Sequence, residues 1–591
     1  MNGNNGGRFD LTKLLSFLKR IKGDVAVAML FVVLSQISTL ILPMLMSMLI
    51  NNGIKNSDMD YIKHMGLVML GVSVAVIVIH SFNSFFSSRT STLYGKILRE
   101  ELFLKVESLS QSDIDTVGTP SLITRCTNDV KVMQDFILQS LRMIISAPIM
   151  LVGGTFMAFF LNARLALIIF AVLPVIAGLA YLVIKLVLPL FRKRQKMVDA
   201  LNRFLREKLG GIRVIHAFNK EAYEDARFEE QNHALSALVL RLQRLMAVLL
   251  PVAIVLAILA LDALLLVSAK SIDALTDPAK IQNAVGDLQA FVIYMIMIVF
   301  ALSMAAAMFV IVPRANISAR RIKEVLDIEP AIEEPEQPRS IDESKRGEVE
   351  FRHVTFRYRE AAQPILADIT FTAEAGKTTA IIGGTGSGKS TLVNLIPRFY
   401  DASEGEVLFG GTDVRQLAQR DLHDRIGYVM QKANLFSGTI EENLRYGDEN
   451  ASEEQLWHAV ELSQSKSFID ELPNGLQSFV SQNVTNLSGG QKQRLAIARA
   501  LVRDADVYIF DDSFSALDFL TEANLRLALQ RELKKTMIIV AQRVGTILHA
   551  DKIIVLDGGK IVGEGKHEEL LASCEVYREI VASQLSKEAL Q

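Results

Sequence analysis

Eight consecutive residues carry the clearest chemistry in this chain: Gly383, Gly384, Thr385, Gly386, Ser387, Gly388, Lys389 and Ser390. They fit G-x-x-x-x-G-K-[ST], a pattern whose glycines let backbone N–H groups close around phosphate oxygens. Lys389 brings positive charge toward β- and γ-phosphates, and the Ser390 hydroxyl can ligate Mg2+. A second run, Val507–Phe510, ends in Asp511-Asp512. A carboxylate at a strand end beside a phosphate loop is placed to hold that magnesium.

Such a loop needs a strand before it and a helix after it. The runs TTAII and STLVNLI supply both. From Gly347 onward, short β-rich runs alternate with amphipathic stretches: Val349–Phe356, Thr378–Ile382, Val507–Phe510, Thr536–Val540 and Lys552–Leu556. The alternation predicts an α/β domain over 347–591, with a mostly parallel sheet flanked by helices. A Pro/Glu-rich linker, 328–346, precedes it and marks a domain boundary.

The first half reads differently. Six runs are long and apolar enough to cross a membrane: Val25–Ile50, Met65–Ser87, Met143–Asn162, Leu165–Phe191, Met246–Ala269 and Leu288–Pro313. They predict an all-α, six-helix transmembrane domain over 24–327. Residues 1–23 precede it as an interfacial segment, with Leu11, Leu14, Leu15 and Leu18 on one helical face; a plain soluble lead-in helix is the alternative. Lys and Arg crowd the segments Arg89–Arg142 and Arg192–Arg244, so the positive-inside rule puts both loops, and both termini, in the cytoplasm. Turn-like stretches around Ser110–Pro120 and Arg206–Arg213 interrupt these loops, and a charged helix, Arg320–Asp327, follows Pro313. Asp262, inside the fifth run, is a candidate substrate contact. A partner on another helix, or a place at the outer interface near Lys270, are the alternatives. The Met and Phe residues of the sixth run suit either a drug pocket or helix packing.

Composition narrows the classes further. Of 591 residues, 50% are hydrophobic, and a net charge of -2 gives no footprint for nucleic acid. The two cysteines, Cys126 and Cys574, form neither a disulfide framework nor a metal set.

Leu487-Ser488-Gly489-Gly490-Gln491 resembles the signature of ATP-binding-cassette (ABC) proteins, and the resemblance extends along the chain. Tyr358 matches the aromatic that stacks on adenine, Gln431 the glutamine that contacts Mg2+, and Ser515-Ala516-Leu517-Asp518 the D-loop. Leu209–Phe218 is similar to the second cytoplasmic loop of the exporter class. The resemblance implies ATP and Mg2+ as ligands. It places nucleotide contacts at Tyr358, Gln431 and the phosphate loop through Thr391, with Ser390, Gln431 and Asp511 on magnesium. It implies head-to-tail cassette pairs, so the signature serves the partner's ATP. It also implies contact points between the membrane and ATPase halves near Ser112–Thr116 and Arg213–Phe218.

Two positions depart from that family. Asp512 stands where the family has a catalytic Glu, and Gln542 where it has a switch His. Both touch one chemical step. A further departure, Gln482-Asn483-Val484, replaces Glu-x-Gly ahead of the signature. The expectation is a subunit with a slowly hydrolysing site of its own, paired with a non-identical half-transporter that keeps Glu and His. It would export hydrophobic or amphipathic compounds of multidrug type from a bacterial plasma membrane, in contact with membrane lipid. The alternatives are a slow homodimeric lipid or drug exporter, or an ATP-regulated membrane protein that does not transport.

Overall fold

The structure is a computed structural model that describes residues 7–54, 56–161, 163–273, 278–359, 361–481 and 486–588. Contacts divide the chain into two compact units. One holds Met1–Val106 with Pro120–Asp327; the other holds Glu107–Thr119 with Ile328–Gln591.

All six apolar runs of the first unit are helical over their described residues. Among the described residues, four helical stretches meet the length and composition of a membrane span: Leu11–Ile54, Met59–Glu107, Thr119–Leu161 and Gly286–Ala305. The other two runs lie within the helices Ala163–Gly210 and Glu221–Asp273. Met59–Glu107 has 49 residues, about 70 Å at 1.5 Å per residue, more than twice the ~30 Å hydrocarbon core. A core forms where the helices Lys22–Met48, Ser146–Leu161 and Pro278–Leu326 meet. Leu40, Ala158, Phe291, Tyr294 and Ile298 fill it, and the Tyr294 hydroxyl donates to the Leu40 carbonyl at 2.8 Å. Nearer the end of the last helix, Asp129 is 2% exposed and accepts from Ser318 at 2.7 Å, with Arg321 at 3.9 Å.

Local structure differs from the sequence expectation at three places. Arg320–Asp327 is no separate helix: Pro278–Leu326 runs unbroken through Pro313, whose missing N–H removes only one rung. Ser110–Pro120 holds a helix, Gln111–Val117, because Ser110 and Asp113 form a capping box at its start. The second stretch is helical through Gly210 and resumes as Ile212–Ala217. The N-terminal segment forms a helix, Gly7–Leu15, with Leu14 buried and Lys13 paired to Asp327.

Among the described residues, the second unit holds twelve strands: β1 (Val349–Phe356), β2 (Leu366–Ala373), β3 (Thr378–Gly383), β4 (Glu404–Phe409), β5 (Thr412–Asp413), β6 (Ile426–Val429), β7 (Gly438–Thr439), β8 (Phe479–Val480), β9 (Val507–Asp511), β10 (Thr536–Val540), β11 (Lys552–Asp557) and β12 (Lys560–Gly565). The main sheet runs β12-β11-β3-β10-β9-β6 and is parallel except for β12. β9 and β10 are buried at every position, as parallel strands covered on both faces must be. β1 belongs instead to an antiparallel sheet, β2-β1-β4-β5. Its buried Val349, Phe351, Val354 and Phe356 face a second core with Ile381, Leu392 and Ile554.

Candidate nucleotide site

β3 ends at the phosphate loop, and the helix Lys389–Asn394 begins directly after it. Two glycines show why the pattern is needed. Gly388 has φ +95°, and a Cβ on Gly383 would lie 2.1 Å from the Leu556 carbonyl oxygen. Lys389 is 8% exposed, and its Nζ donates to the carbonyls of Gly383 (2.9 Å) and Gly384 (2.7 Å). Burial pushes its pKa down, opposed by Asp512 and Asp511. An ammonium held by carbonyl dipoles and the Ser387 hydroxyl, with no carboxylate bonded to it among the described residues, is well placed to take an anion.

β9 delivers Asp511 across from this loop. The Ser390 hydroxyl donates to Asp511 Oδ1 at 2.9 Å. Hydroxyl, carboxylate and the nearby Gln431 amide are hard oxygen donors of the kind Mg2+ takes. These three residues fit that ion, which would neutralise phosphate charge when bound. Burial pushes the Asp511 carboxyl above its ordinary range, with the Ser390 bond opposing.

The neighbouring carboxylate is tightly held. Asp512 is 7% exposed and adopts φ +45°, left-handed geometry uncommon for a non-glycine residue. Its Oδ2 accepts from Gln431 Nε2 at 3.1 Å and from Gln542 Nε2 at 2.9 Å. Both sequence departures therefore meet at one oxygen. Burial raises the Asp512 pKa, against the Gln431 bond and Lys389.

Tyr358, half-buried, points its hydroxyl to Thr391 Oγ1 at 3.0 Å. Phe356 and Tyr400 pack edge-on against its ring, with centroids at 4.9 and 5.3 Å. Nothing local in the sequence marks Tyr400, an aromatic in the turns that follow the helix Lys389–Asn394. Its hydroxyl donates to Asp115 Oδ2 at 2.7 Å, and the Ala331 N–H donates to Asp113 Oδ2 at 3.0 Å. These bonds explain why Glu107–Thr119, assigned by sequence to the 24–327 domain, packs within the second unit.

The signature is a capping box. Ser488 caps the helix Gly489–Val502, bonding reciprocally with Gln491, while Leu487 is buried beneath. Ser488 and Gly489 are exposed, and none of the five residues bonds to the chain's own phosphate loop among the described residues. Ser515 donates to the Asp512 carbonyl at 2.8 Å, Ala516 is exposed, Leu517 is buried, and Asp518 caps the helix Phe519–Glu532. Asp262 is exposed and makes no hydrogen bond or ion pair among the described residues. Gln482, Asn483 and Val484 lie outside the described residues.

Comparison with known proteins covers both halves. The family model "ABC transporter transmembrane region" matches residues 25–302, and the model "ABC transporter" matches residues 366–515. An uncharacterized ABC transporter ATP-binding protein of Mycobacterium tuberculosis is 39% identical over 97% of this chain and 98% of its own length. YfiB of Bacillus subtilis, described in the same words, is 35% identical over 98% and 99%. The ATP-dependent lipid A-core flippase of Pseudomonas aeruginosa is 33% identical over 86% and 82%. A bacterial Atm1-family ABC exporter solved with ATP bound shares the fold, with a TM-score of 0.76 over 95% of this chain and 98% of that one at 24% identity. With both halves matched and relatives aligned end to end, the chain belongs to the ABC transporter family and joins a helical membrane region to one ATPase domain.

Proposed function

We propose that this chain is the degenerate-site subunit of a heterodimeric exporter. Its own phosphate loop binds ATP and turns it over slowly. A non-identical half-transporter, with Glu and His at the positions of Asp512 and Gln542, completes the fast site against this chain's Ser488–Gln491. The observation that carries the reading is the double clamp on Asp512 Oδ2. A general base must offer a lone pair to water within hydrogen-bond reach. Asp512 is one methylene shorter than Glu, and a misplacement near 1 Å costs about 100-fold. One of its two carboxylate oxygens already accepts two amide protons, and each bond to a charged acceptor is worth about 1.5–3 kcal/mol. Gln542 has no proton that titrates near neutral pH, unlike the family's His.

Transport follows from cassette closure, which moves the cytoplasmic helices and reorients the spans. The helix Ile212–Ala217 suits a role as a transmitting contact: Ile212, Val214 and Phe218 at its end are exposed apolar side chains. The substrates are hydrophobic or amphipathic compounds, with Asp262 as a contact for cationic ones, moved out across a bacterial plasma membrane with both termini cytoplasmic. A second reading, a homodimeric lipid exporter, draws support from the 33% identity to a protein named as a lipid A-core flippase.

The test restores the missing groups. In the assembled transporter with the partner's own phosphate-loop lysine removed, Asp512→Glu with Gln542→His is expected to raise hydrolysis at this chain's loop by at least 10-fold. No gain from the double substitution overturns the reading.

A further inference from the structure

We propose that a basic band on the helices Ala163–Gly210 and Glu221–Asp273 binds anionic phospholipid headgroups of the leaflet facing the cytoplasmic loops. This rests on both helices crossing the membrane. They pack antiparallel, and two contacts fix their register. The Arg227 guanidinium lies 5.4 Å from the Phe204 ring centroid, and Lys208 Nζ lies 3.6 Å from Asp225. Continuing that register toward the apolar runs sets Arg241 beside Arg192, with Arg244 about one turn nearer the membrane. Val187, Leu238 and Leu242 are buried at this level.

Arg192, Lys193, Lys196, Arg241 and Arg244 are all exposed there. None has a hydrogen bond or ion pair among the described residues. No Asp or Glu occurs from Arg192 to Val198, or from Gln231 to Leu261. Farther from the apolar runs the same two helices neutralise their cations: Lys208 pairs with Asp225 and Arg227 with Glu224. An ordinary solvated face would mix signs throughout. Here the acids stop where the apolar surface starts. That surface is lipid-like in character: Tyr181 is 66% exposed, followed by Leu182, Leu186 and Phe191, with Val248 and Val252 across. Arg194 lies over Phe191 at 4.9 Å, an arrangement that fits an interface anchor.

Charge complementarity selects the occupant. Little more than one turn on each helix, Arg192–Lys196 and Arg241–Arg244, places five free cations within about one Debye length, where their attraction for anions sums. Arginine meets a phosphodiester with two parallel N–H donors. An anion that also borders an exposed apolar belt is a phospholipid with net negative charge, such as phosphatidylglycerol.

The experiment uses the full-length chain extracted in detergent and supplied with equal phosphatidylglycerol and phosphatidylcholine. Native mass spectrometry counts the lipids retained. The unaltered chain is expected to prefer phosphatidylglycerol, and the preference should fall as salt rises. Replacing Arg192, Lys193, Lys196, Arg241 and Arg244 with Gln should lower it roughly fivefold per cation at low salt. Replacing Arg203, Arg213 and Lys220, exposed cations farther from the apolar runs, should leave it unchanged. Equal retention of both lipids by the unaltered chain, or equal loss in the distant variant, overturns the proposal. The salt titration needs no variant, so a failure of the five-residue variant to insert does not shield the idea.

Discussion

The bond between Tyr400 and Asp115 can be weighed in isolation. Tyr400 is 9% exposed, its hydroxyl donates to Asp115 at 2.7 Å, and burial followed by Asp115 pushes its pKa well above the ordinary tyrosine range. Hydrogen bonds to charged groups contribute about 1.5–3 kcal/mol, and Asp115 lies on the exposed side, which selects the low end, about 1.5 kcal/mol. Tyr400→Phe and Asp115→Asn each remove the charged bond with little change of shape. In a unit of this size 1 kcal/mol shifts Tm by roughly 2–4 °C, so each variant should melt about 3–6 °C lower. The chain carries one tryptophan, Trp457, packed against the core of the same unit, so its fluorescence reports that unit's unfolding in the intact chain. The double variant should melt no lower than the worse single variant, a coupling of about 1.5 kcal/mol. Additive losses within about 0.5 kcal/mol would refute the bond, and with it the account of why Gln111–Val117 packs on the ATPase unit.

Other consequences follow from the same contacts. Tyr358→Ala tests the proposed adenine stack: base–aromatic stacking contributes about 1–3 kcal/mol, so ATP binding should weaken by roughly 5- to 150-fold with a smaller effect on maximal turnover, as titration with a fluorescent ATP analogue measures. Ser318→Ala leaves buried Asp129 without its 2.7 Å donor and should cost about 1–3 kcal/mol in the membrane unit, read as a lower Tm in detergent. Asp327 is held below the usual carboxylate range by Lys13 first and Lys323 second. A depressed carboxylate stabilises above its unfolded pKa and is lost as pH falls through the folded one. Hydrogen-exchange protection factors of residues 7–15 should thus stay high through neutral pH and fall only below about pH 4, whereas Asp327→Asn should lower them at neutral pH and remove that pH dependence.

Motif chemistry was the most legible part of the sequence, because the phosphate loop, Ser390 and Asp511 act through local spacing that one strand and one helix fix. β3, β9, β10 and β11 were readable as dense apolar runs, the mark of strands buried on both faces. β2, β4 and β12 were not. They are antiparallel, and pairing with β1 and β11 is what gives them a place in a sheet. The unbroken helix through Pro313 escaped because a lost rung is affordable where tertiary packing holds both sides, which no local rule sees. Position alone identified Asp512 and Gln542 as departures. That they share one oxygen with Gln431 depends on β6, β9 and β10 lying side by side, a long-range fact.

The most direct test of the central claim is steady-state ATPase activity of this chain purified alone and then co-assembled with a half-transporter bearing Glu and His. The clamped Asp512 predicts near-zero activity alone. With the partner it predicts robust activity that survives Asp512→Ala and disappears when the partner's Glu is replaced. Robust activity from this chain by itself, abolished by Asp512→Ala, would contradict the account and establish Asp512 with Gln542 as a working catalytic pair.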